Sequence, residues 1–525
     1  MTTGWALAYG GALVLRAASI FSMGMVHPDE FFQCPEVMAR AVYNVSSAFI
    51  PWEYQPSAPN RSILFPSLVA GIPYAVAKAL GVAPSGLLFL VVPRVILTLL
   101  SLGFDTAIYT LARTYDIDYK GPLLVFATSW TTLVLLTRSF SNTFEAFLLM
   151  LSFVVLHTTT PRQYAGVVSR QNLLLGALLA LGSFTRFTFL LFFFPLGLAL
   201  VASNDALLCA SLAKKSDVHT PSPFQRLIGV GATGLGGAIA FVLTSIGVVL
   251  VDTCFFRGWE ALYDVHSWVV APWNNLVYNM NPAHLAAHGL HTRSNHWLIN
   301  MQLLFGPLPA LALLYGRRHR LLLASIVVPV SLLSLAPHQE ARFLLPVVFP
   351  LMLASGPALA ASKPLQGLWA VFNTLVYLWY GVLHQGGLVP MLLSSSTPYC
   401  KHISLTNVHT ILMSGTYMPP RFALSPHAIH IVDERLEDMQ APLDALVQSL
   451  PRDARGRTGA VFVYPAPLAA DVEALIAAIP HLGLDTTEPM GTCGPFLAME
   501  SLPTNVLDLT EWSLRLQHIV VRGDE

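Results

Sequence analysis

Charge is what this sequence has least of. Only 11 % of its 525 residues are Asp, Glu, Lys or Arg, where a soluble domain carries about 25 %. Acidic and basic residues number 29 each, so the formal net charge is zero and no global field draws the chain to nucleic acid or an anionic surface. Cysteine is sparse as well. Cys34, Cys209, Cys254, Cys400 and Cys493 show no CxxC or metal spacing, which gives no zinc signal and leaves at most one or two disulfides. A removable leader is not the expectation either: Met1 to Met25 lacks a charged n-region, shows no convincing small-residue cleavage site and carries Arg16 in its middle, so it reads better as a retained first span. What is abundant is apolar: hydrophobic residues make up 54 % and mean hydropathy is +0.59. The expected class is a mainly α, polytopic membrane protein.

Apolar stretches approaching bilayer length, roughly 17 to 25 residues when helical, begin near Trp5, Leu87, Pro122, Thr143, Gln171, Thr185, Leu227, Trp297, Leu321, Phe343 and Leu365. Ile63 to Leu80 is barely long enough and holds Pro66, Pro73 and Lys78, so it is read as re-entrant or interfacial. Arg113/Lys120, Arg162/Arg170, Lys214/Lys215/Arg226, Arg317/Arg318/Arg320 and Lys363 then fall on one side, as the positive-inside rule asks. About eleven spans with a cytosolic N-terminus follow. The other face receives the loops 27–62 and 256–296, the turn Arg138 to Glu145, Phe184 to Thr188, Pro337 to Arg342, and everything after about His384. The sequons at Asn44 and Asn60 lie in the first of these loops and suit a lumenal side.

Nearly every unusual polar cluster lies on that face. His27-Pro-Asp29-Glu30-Phe-Phe-Gln33 sets two acids where the first span gives out. A helix N-terminus accounts for one acid beside Pro28, but not for two with a His and a Gln, and carboxylates at a membrane boundary call for a function. Arg138, Asn142 and Glu145 share a span boundary, where Glu145 is either a structural partner of Arg138 or part of a site. Arg186 breaks an apolar run, as a snorkelling anchor or as an anion ligand. His338, Gln339, Glu340 and Arg342 pack acid, base and amide into one turn.

The loop around Trp268 to His296 offers Asn274, Asn275, His288, His291, Arg293 and His296. His284 and His288 are a helical turn apart, but no cysteine or spaced carboxylate completes a zinc set. The mixture suits sugar hydroxyls and phosphate oxygens better. Residues 1–398 thus read as the membrane catalytic domain. Residues 399–525 read as a small α/β appendage, with Gly459 to Tyr464 as a buried strand and Pro465 to Ile479 as a helix presenting Leu468, Val472, Leu475 and Ile476. The appendage shows no nucleophile, phosphate-loop or metal pattern.

Glycosyl transfer from a lipid phosphate needs these parts. The phosphate leaves as a weak base, so a strong general acid is unnecessary; one carboxylate deprotonates the acceptor hydroxyl, and cations hold the phosphate as charge develops. The expectation is that the scattered strings converge on one pocket, with Asp29 or Glu30 as the base and Arg138, Arg186, Arg342 and His338 around the phosphate, making a divalent metal dispensable.

The strings His27 to Gln33, Arg138-Ser-Phe-Ser-Asn-Thr-Phe-Glu145, Thr185-Arg-Phe-Thr188 and His338-Gln-Glu-Ala-Arg-Phe343 together resemble glycosyltransferase family 22. Four further features, Phe31 to Met38, Pro51 to Tyr54 with Arg61 to Phe65, His288 to His296, and Gly415 to Pro420, are similar to the branch that adds the fourth mannose to glycosylphosphatidylinositol (GPI) precursors. The resemblance implies a GT-C fold in the endoplasmic reticulum membrane and a lumenal site. It implies dolichyl-phosphate mannose as donor, no cofactor, and α1,2 transfer with inversion to the third mannose of a GPI glycolipid, with Asp29 the first choice as base. Residues after about 430 have no counterpart in it. Two alternatives remain: another family-22 acceptor (the GPI third-mannose step or a dolichol-linked oligosaccharide), and a lipid or solute transporter. Against transport, the polar clusters crowd one face and no internal repeat is seen.

Overall fold

The computed structural model describes residues 3–161, 164–213, 222–281, 283, 289–393, 399–403, 405, 407–427, 429–449, 456–485, 491–521. His284 and His288, with Arg162, Lys214 and Lys215 of the charge pattern, lie outside the described residues. The chain divides into two compact units, one of residues 1–17, 51–68 and 95–373, the other of 18–50, 69–94 and 374–525.

All eleven apolar stretches form helix, but they are unequal. Among the described residues six helices are long and apolar enough to cross a membrane: Gly4–Phe21, Gly86–Thr114, Ser141–Thr158, Phe189–Ala213, Pro223–Arg257 and Ala341–Ala360. The stretch from Trp297 is a pair, His296–Phe305 and Leu308–Arg318, bent by 106°. Gly306 there has φ 53° and Pro307 lacks an N–H, so the helical ladder cannot pass. The stretch from Pro122 breaks after Lys120–Thr128 at the extended Ser129. Asn373 Oδ1 then accepts the Trp130 N–H at 2.7 Å, satisfying a backbone donor away from water. Arg170–Thr185, Arg320–Leu333 and Lys363–Tyr377 have 16, 14 and 15 residues. The ambiguous segment is a short apolar helix, Leu64–Ala79.

Arg16, out of place in an apolar span, is paired. Its guanidinium meets Asp105 at 2.5 and 3.2 Å, Tyr9 donates to the same carboxylate at 2.9 Å, and the Phe126 ring lies 5.2 Å away. A charge held inside a bundle needs such a partner.

The second unit carries one mixed sheet of β1 (Cys400–Lys401), β2 (Thr410–Met413), β3 (His430–Asp433), β4 (Gly456–Pro465), β5 (Leu482–Leu484), β6 (Gly491–Cys493) and β7 (Leu514–Val521). The order is β1-β6-β7-β4-β2-β3, with β5 also on β7. β2 pairs parallel with both β3 and β4, while β7 is antiparallel to β4, β5 and β6. The expected strand is β4. The expected helix is Ala469–Ala477, preceded by a 3-10 turn. Val472 and Ile476 pack with Leu412, Phe462 and Tyr464.

A disulfide joins Cys400 of β1 to Cys493 of β6 across 93 residues of chain. Because closing so long a loop restricts the unfolded chain, replacing both cysteines by serine is expected to cost about 2–5 kcal/mol, read as a lower thermal midpoint and faster proteolysis near β1. An unchanged midpoint would contradict this role.

Candidate active site

In the second unit, Pro28 opens the short helix Asp29–Phe32, and its two acids go separate ways. Glu30 is 1 % exposed and meets Arg94 through Nε at 3.0 Å and Nη2 at 2.5 Å. Arg94 also donates to the carbonyls of Ile20 and Ser22 at 3.0 and 2.7 Å, locking the chain just ahead of His27. Asp29 is half-buried. Its Oδ2 accepts from the buried Gln33 amide at 2.7 Å, and its backbone N–H donates to His27 Nδ1 at 3.1 Å, which puts the neutral imidazole proton on Nε2.

A third carboxylate in this loop had no role in the sequence reading. Glu36, fully buried, accepts the backbone N–H groups of Phe49 at 3.0 Å, of Phe422 at 3.1 Å, and of Arg421. It thereby ties the loop helix Pro35–Tyr43 to the segment after Pro420. Burial pushes its carboxyl up to about 8, opposed by those three hydrogen bonds. Glu36 stands inside the string Phe31 to Met38, but neither its burial nor its remote partners are visible there.

In the first unit, three arginines form one cluster. Glu145 takes Arg186 at 3.4 Å and the Thr188 hydroxyl at 2.9 Å. Arg186 Nη1 and Arg61 Nη1 both donate to Ser141 Oγ, at 3.3 and 3.4 Å, and Arg61 Nε donates to Glu53 at 2.9 Å. Arg186 lies 5.0 Å from the centroid of Phe343, and Arg342 lies 5.8 Å from the same ring and 5.7 Å from Phe140. Arg342 donates to Glu340 at 2.5 Å. Three guanidiniums are thus each matched by a glutamate and joined through a hydroxyl and an aromatic face. Arg138 and Asn142 are fully buried in the same turn. Arg61, quoted in a motif but not chosen as a site residue, is a full member.

The turn after Leu335 completes this side. His338 Nε2 lies 2.9 Å from Glu340 and Nδ1 lies 3.1 Å from the Gly289 carbonyl. His291 donates its N–H to the Pro337 carbonyl at 2.8 Å and accepts from the Gln339 N–H at 3.3 Å. Gln339 Oε1 accepts the His296 N–H at 2.9 Å, and His296 Nδ1 pairs with Asn300 at 3.0 Å. His291, His296, His338, Gln339, Glu340 and Arg342 therefore form one network, while Arg293 is exposed.

Asn274 donates its side-chain amide to the Pro59 carbonyl at 2.9 Å, and Asn275 Oδ1 accepts from the Asn279 amide at 3.1 Å, so both side chains make contacts within the scaffold. Asn44 is exposed at a left-handed helix end, but Asn60 is only 8 % exposed, and Ser62 of the same sequon is bound to Asp252 at 2.9 Å.

The description of the family whose model matches residues 8–420 is Alg9-like mannosyltransferase. The chain belongs to that family. It is 36 % identical over 468 residues to the GPI alpha-1,2-mannosyltransferase 4 of Homo sapiens, a match spanning 81 % of this chain and 76 % of the relative. It is 31 % identical over 479 residues to the GPI mannosyltransferase 4 of Emericella nidulans, spanning 85 % and 82 %. Its fold resembles that of ArnT from Cupriavidus metallidurans bound to undecaprenyl phosphate, with a TM-score of 0.52, 12 % identity, and 99 % and 98 % of the two chains covered. The chain is a multi-pass membrane mannosyltransferase of the Alg9-like family, and the clusters around Asp29, Glu145 and Glu340 lie within the matched range.

Two measurements probe these contacts. Arg94→Ala strands Glu30 as a buried unpaired charge, expected to cost about 3–5 kcal/mol and to lower folded yield sharply; normal yield and melting would refute the pairing. The hydrogen bond to Glu340 raises the His338 pKa against the opposing effect of burial. Its stabilising contribution is complete below the ordinary histidine value of about 6.5 and is lost as pH rises through the raised one. His338→Gln should therefore depress the melting temperature most at acidic pH and progressively less toward alkaline pH; a penalty independent of pH would contradict this.

Proposed function

We propose that this mannosyltransferase moves mannose from dolichyl-phosphate mannose, with inversion, to the third mannose of a GPI precursor in α1,2 linkage. The observation that carries the chemistry is the division of labour between neighbouring acids. Glu30 is consumed by Arg94, whereas Asp29 is half-buried with one oxygen oriented by Gln33. Asp29 removes the proton of the acceptor 2-hydroxyl as that oxygen bonds to the anomeric carbon. The bond from that carbon to the phosphate oxygen breaks on the opposite face, which inverts the β-linked donor and releases dolichyl phosphate. A phosphate leaving group needs charge stabilisation more than a proton. Arg61, Arg186 and Arg342 are the groups suited to supply it, with Arg138 and His338, because a guanidinium carries several N–H donors and a fixed positive charge for phosphate oxygens, which supports a reaction without a divalent metal.

The activities for which the human and Emericella nidulans relatives are named support the GPI acceptor, and that of the human one supports the α1,2 linkage. The Cys400–Cys493 disulfide supports a lumenal, oxidising location for the C-terminal sheet, and with it the endoplasmic reticulum membrane.

Purified protein in lipid nanodiscs, given dolichyl-phosphate mannose and a GPI precursor bearing three mannoses, should yield a four-mannose product that α1,2-mannosidase trims back. Chelator should leave the rate largely unchanged. Transfer instead to a two-mannose precursor or to a dolichol-linked oligosaccharide would replace the acceptor assignment, and complete loss reversed by added metal would overturn the arginine account.

A further inference from the structure

The helix Ala271–Asn279 wears its apolar side outward. Trp273, Leu276, Val277 and the capping Met280 are exposed, at the i, i+3, i+4, i+7 spacing of a single face. The opposite face is taken up by protein: Asn274 holds the Pro59 carbonyl, Asn279 holds Asn275, and the Tyr278 ring packs 4.5 Å from Trp52. Trp273 is 62 % and Met280 72 % exposed, and a contiguous patch of that kind marks a surface that something covers.

What covers it follows from the chain leading in. The Pro223–Arg257 span exposes Val251 and Phe255, and the same four-residue spacing runs past its end into Trp259 and Tyr263, the latter 93 % exposed. Gly258, at φ 83°, turns the chain there, and Arg257 Nη1 donates to the Ser267 carbonyl at 2.8 Å, folding the connection back on the end of the span. Exposed apolar residues thus continue on the far side of the turn from a helix long and apolar enough to cross a membrane, and belong to the same medium. Tryptophan and tyrosine are the residues that favour the membrane–water boundary. Residues 259–280 contain no Lys or Arg, so apolar insertion and not attraction to anionic headgroups drives the contact.

We propose that Ala271–Asn279, with its approach from Trp259, is an interfacial anchor lying at the headgroup–acyl boundary of the leaflet where the Pro223–Arg257 span ends. Its protein-facing side holds the segment Trp52 to Pro59 and so fixes the depth of Glu53 and Arg61 relative to the bilayer.

The test is nitroxide accessibility in the full chain, with Cys209 and Cys254 replaced by serine, reconstituted in phosphatidylcholine nanodiscs. Labels carried by Trp273→Cys and Val277→Cys should collide with oxygen severalfold more than with a water-soluble nickel complex. The exposed Glu437→Cys, in the C-terminal sheet region, should show the reverse. Water-like behaviour at 273 and 277 would overturn the proposal, and so would protection from both reagents, the result of a protein partner or a second copy. Independently of labelling, Trp273→Phe should reduce the fraction of tryptophan fluorescence quenched by lipids brominated near the headgroup, and an unchanged fraction would count against insertion.

Discussion

A charge withdrawn from water must be matched where it lies, and most of this protein's polar architecture follows from that constraint. With so few charged residues, nearly each buried one has an identifiable partner. Arg16 has Asp105, Arg94 has Glu30, Arg186 has Glu145, and Arg342 has Glu340. The pairs are not interchangeable in their consequences. The first two are consumed in holding helices and loop ends together. The last two belong, with Arg61, to a cluster of guanidiniums joined through Ser141 and the Phe343 ring, an arrangement that keeps several cations close.

The same constraint explains how two adjacent acids acquire different fates. A helix of one turn directs Glu30 inward to Arg94, which two backbone carbonyls hold in place, and leaves Asp29 at the margin with an amide to orient it. The loop is further secured by Glu36, whose carboxylate gathers N–H groups from residues far away in the chain. A base that works by geometry needs such surroundings, since small displacements of the carboxylate cost rate steeply.

Much of this was legible in the sequence, and what was not has a common cause. Apolar runs report helices directly, and all eleven starts do begin helical segments. Their lengths were less legible, because Gly306-Pro307 and Ser129 break runs that hydropathy alone makes continuous. The strand at β4 and the helix after it followed from apolar periodicity. Clusters adjacent in sequence, such as His338 to Arg342, also held together in space. Partnerships across tens or hundreds of residues were invisible: Asp105 for Arg16, Arg94 for Glu30, Pro59 for Asn274. That last case shows the limit of arguing from residue type, since an asparagine suited to a sugar hydroxyl suits a backbone carbonyl equally well. The relatives add what geometry does not, the identity of the family.

The most direct test is a comparison of two isosteric substitutions, Asp29→Asn and Glu30→Gln, each in purified, folded protein with dolichyl-phosphate mannose and acceptor at saturation. If Asp29 is the base, Asp29→Asn lowers the transfer rate by roughly 10²–10⁴-fold while donor affinity and melting temperature stay near those of the unmodified chain, and Glu30→Gln acts mainly through lost stability. Undiminished transfer by Asp29→Asn would contradict the account.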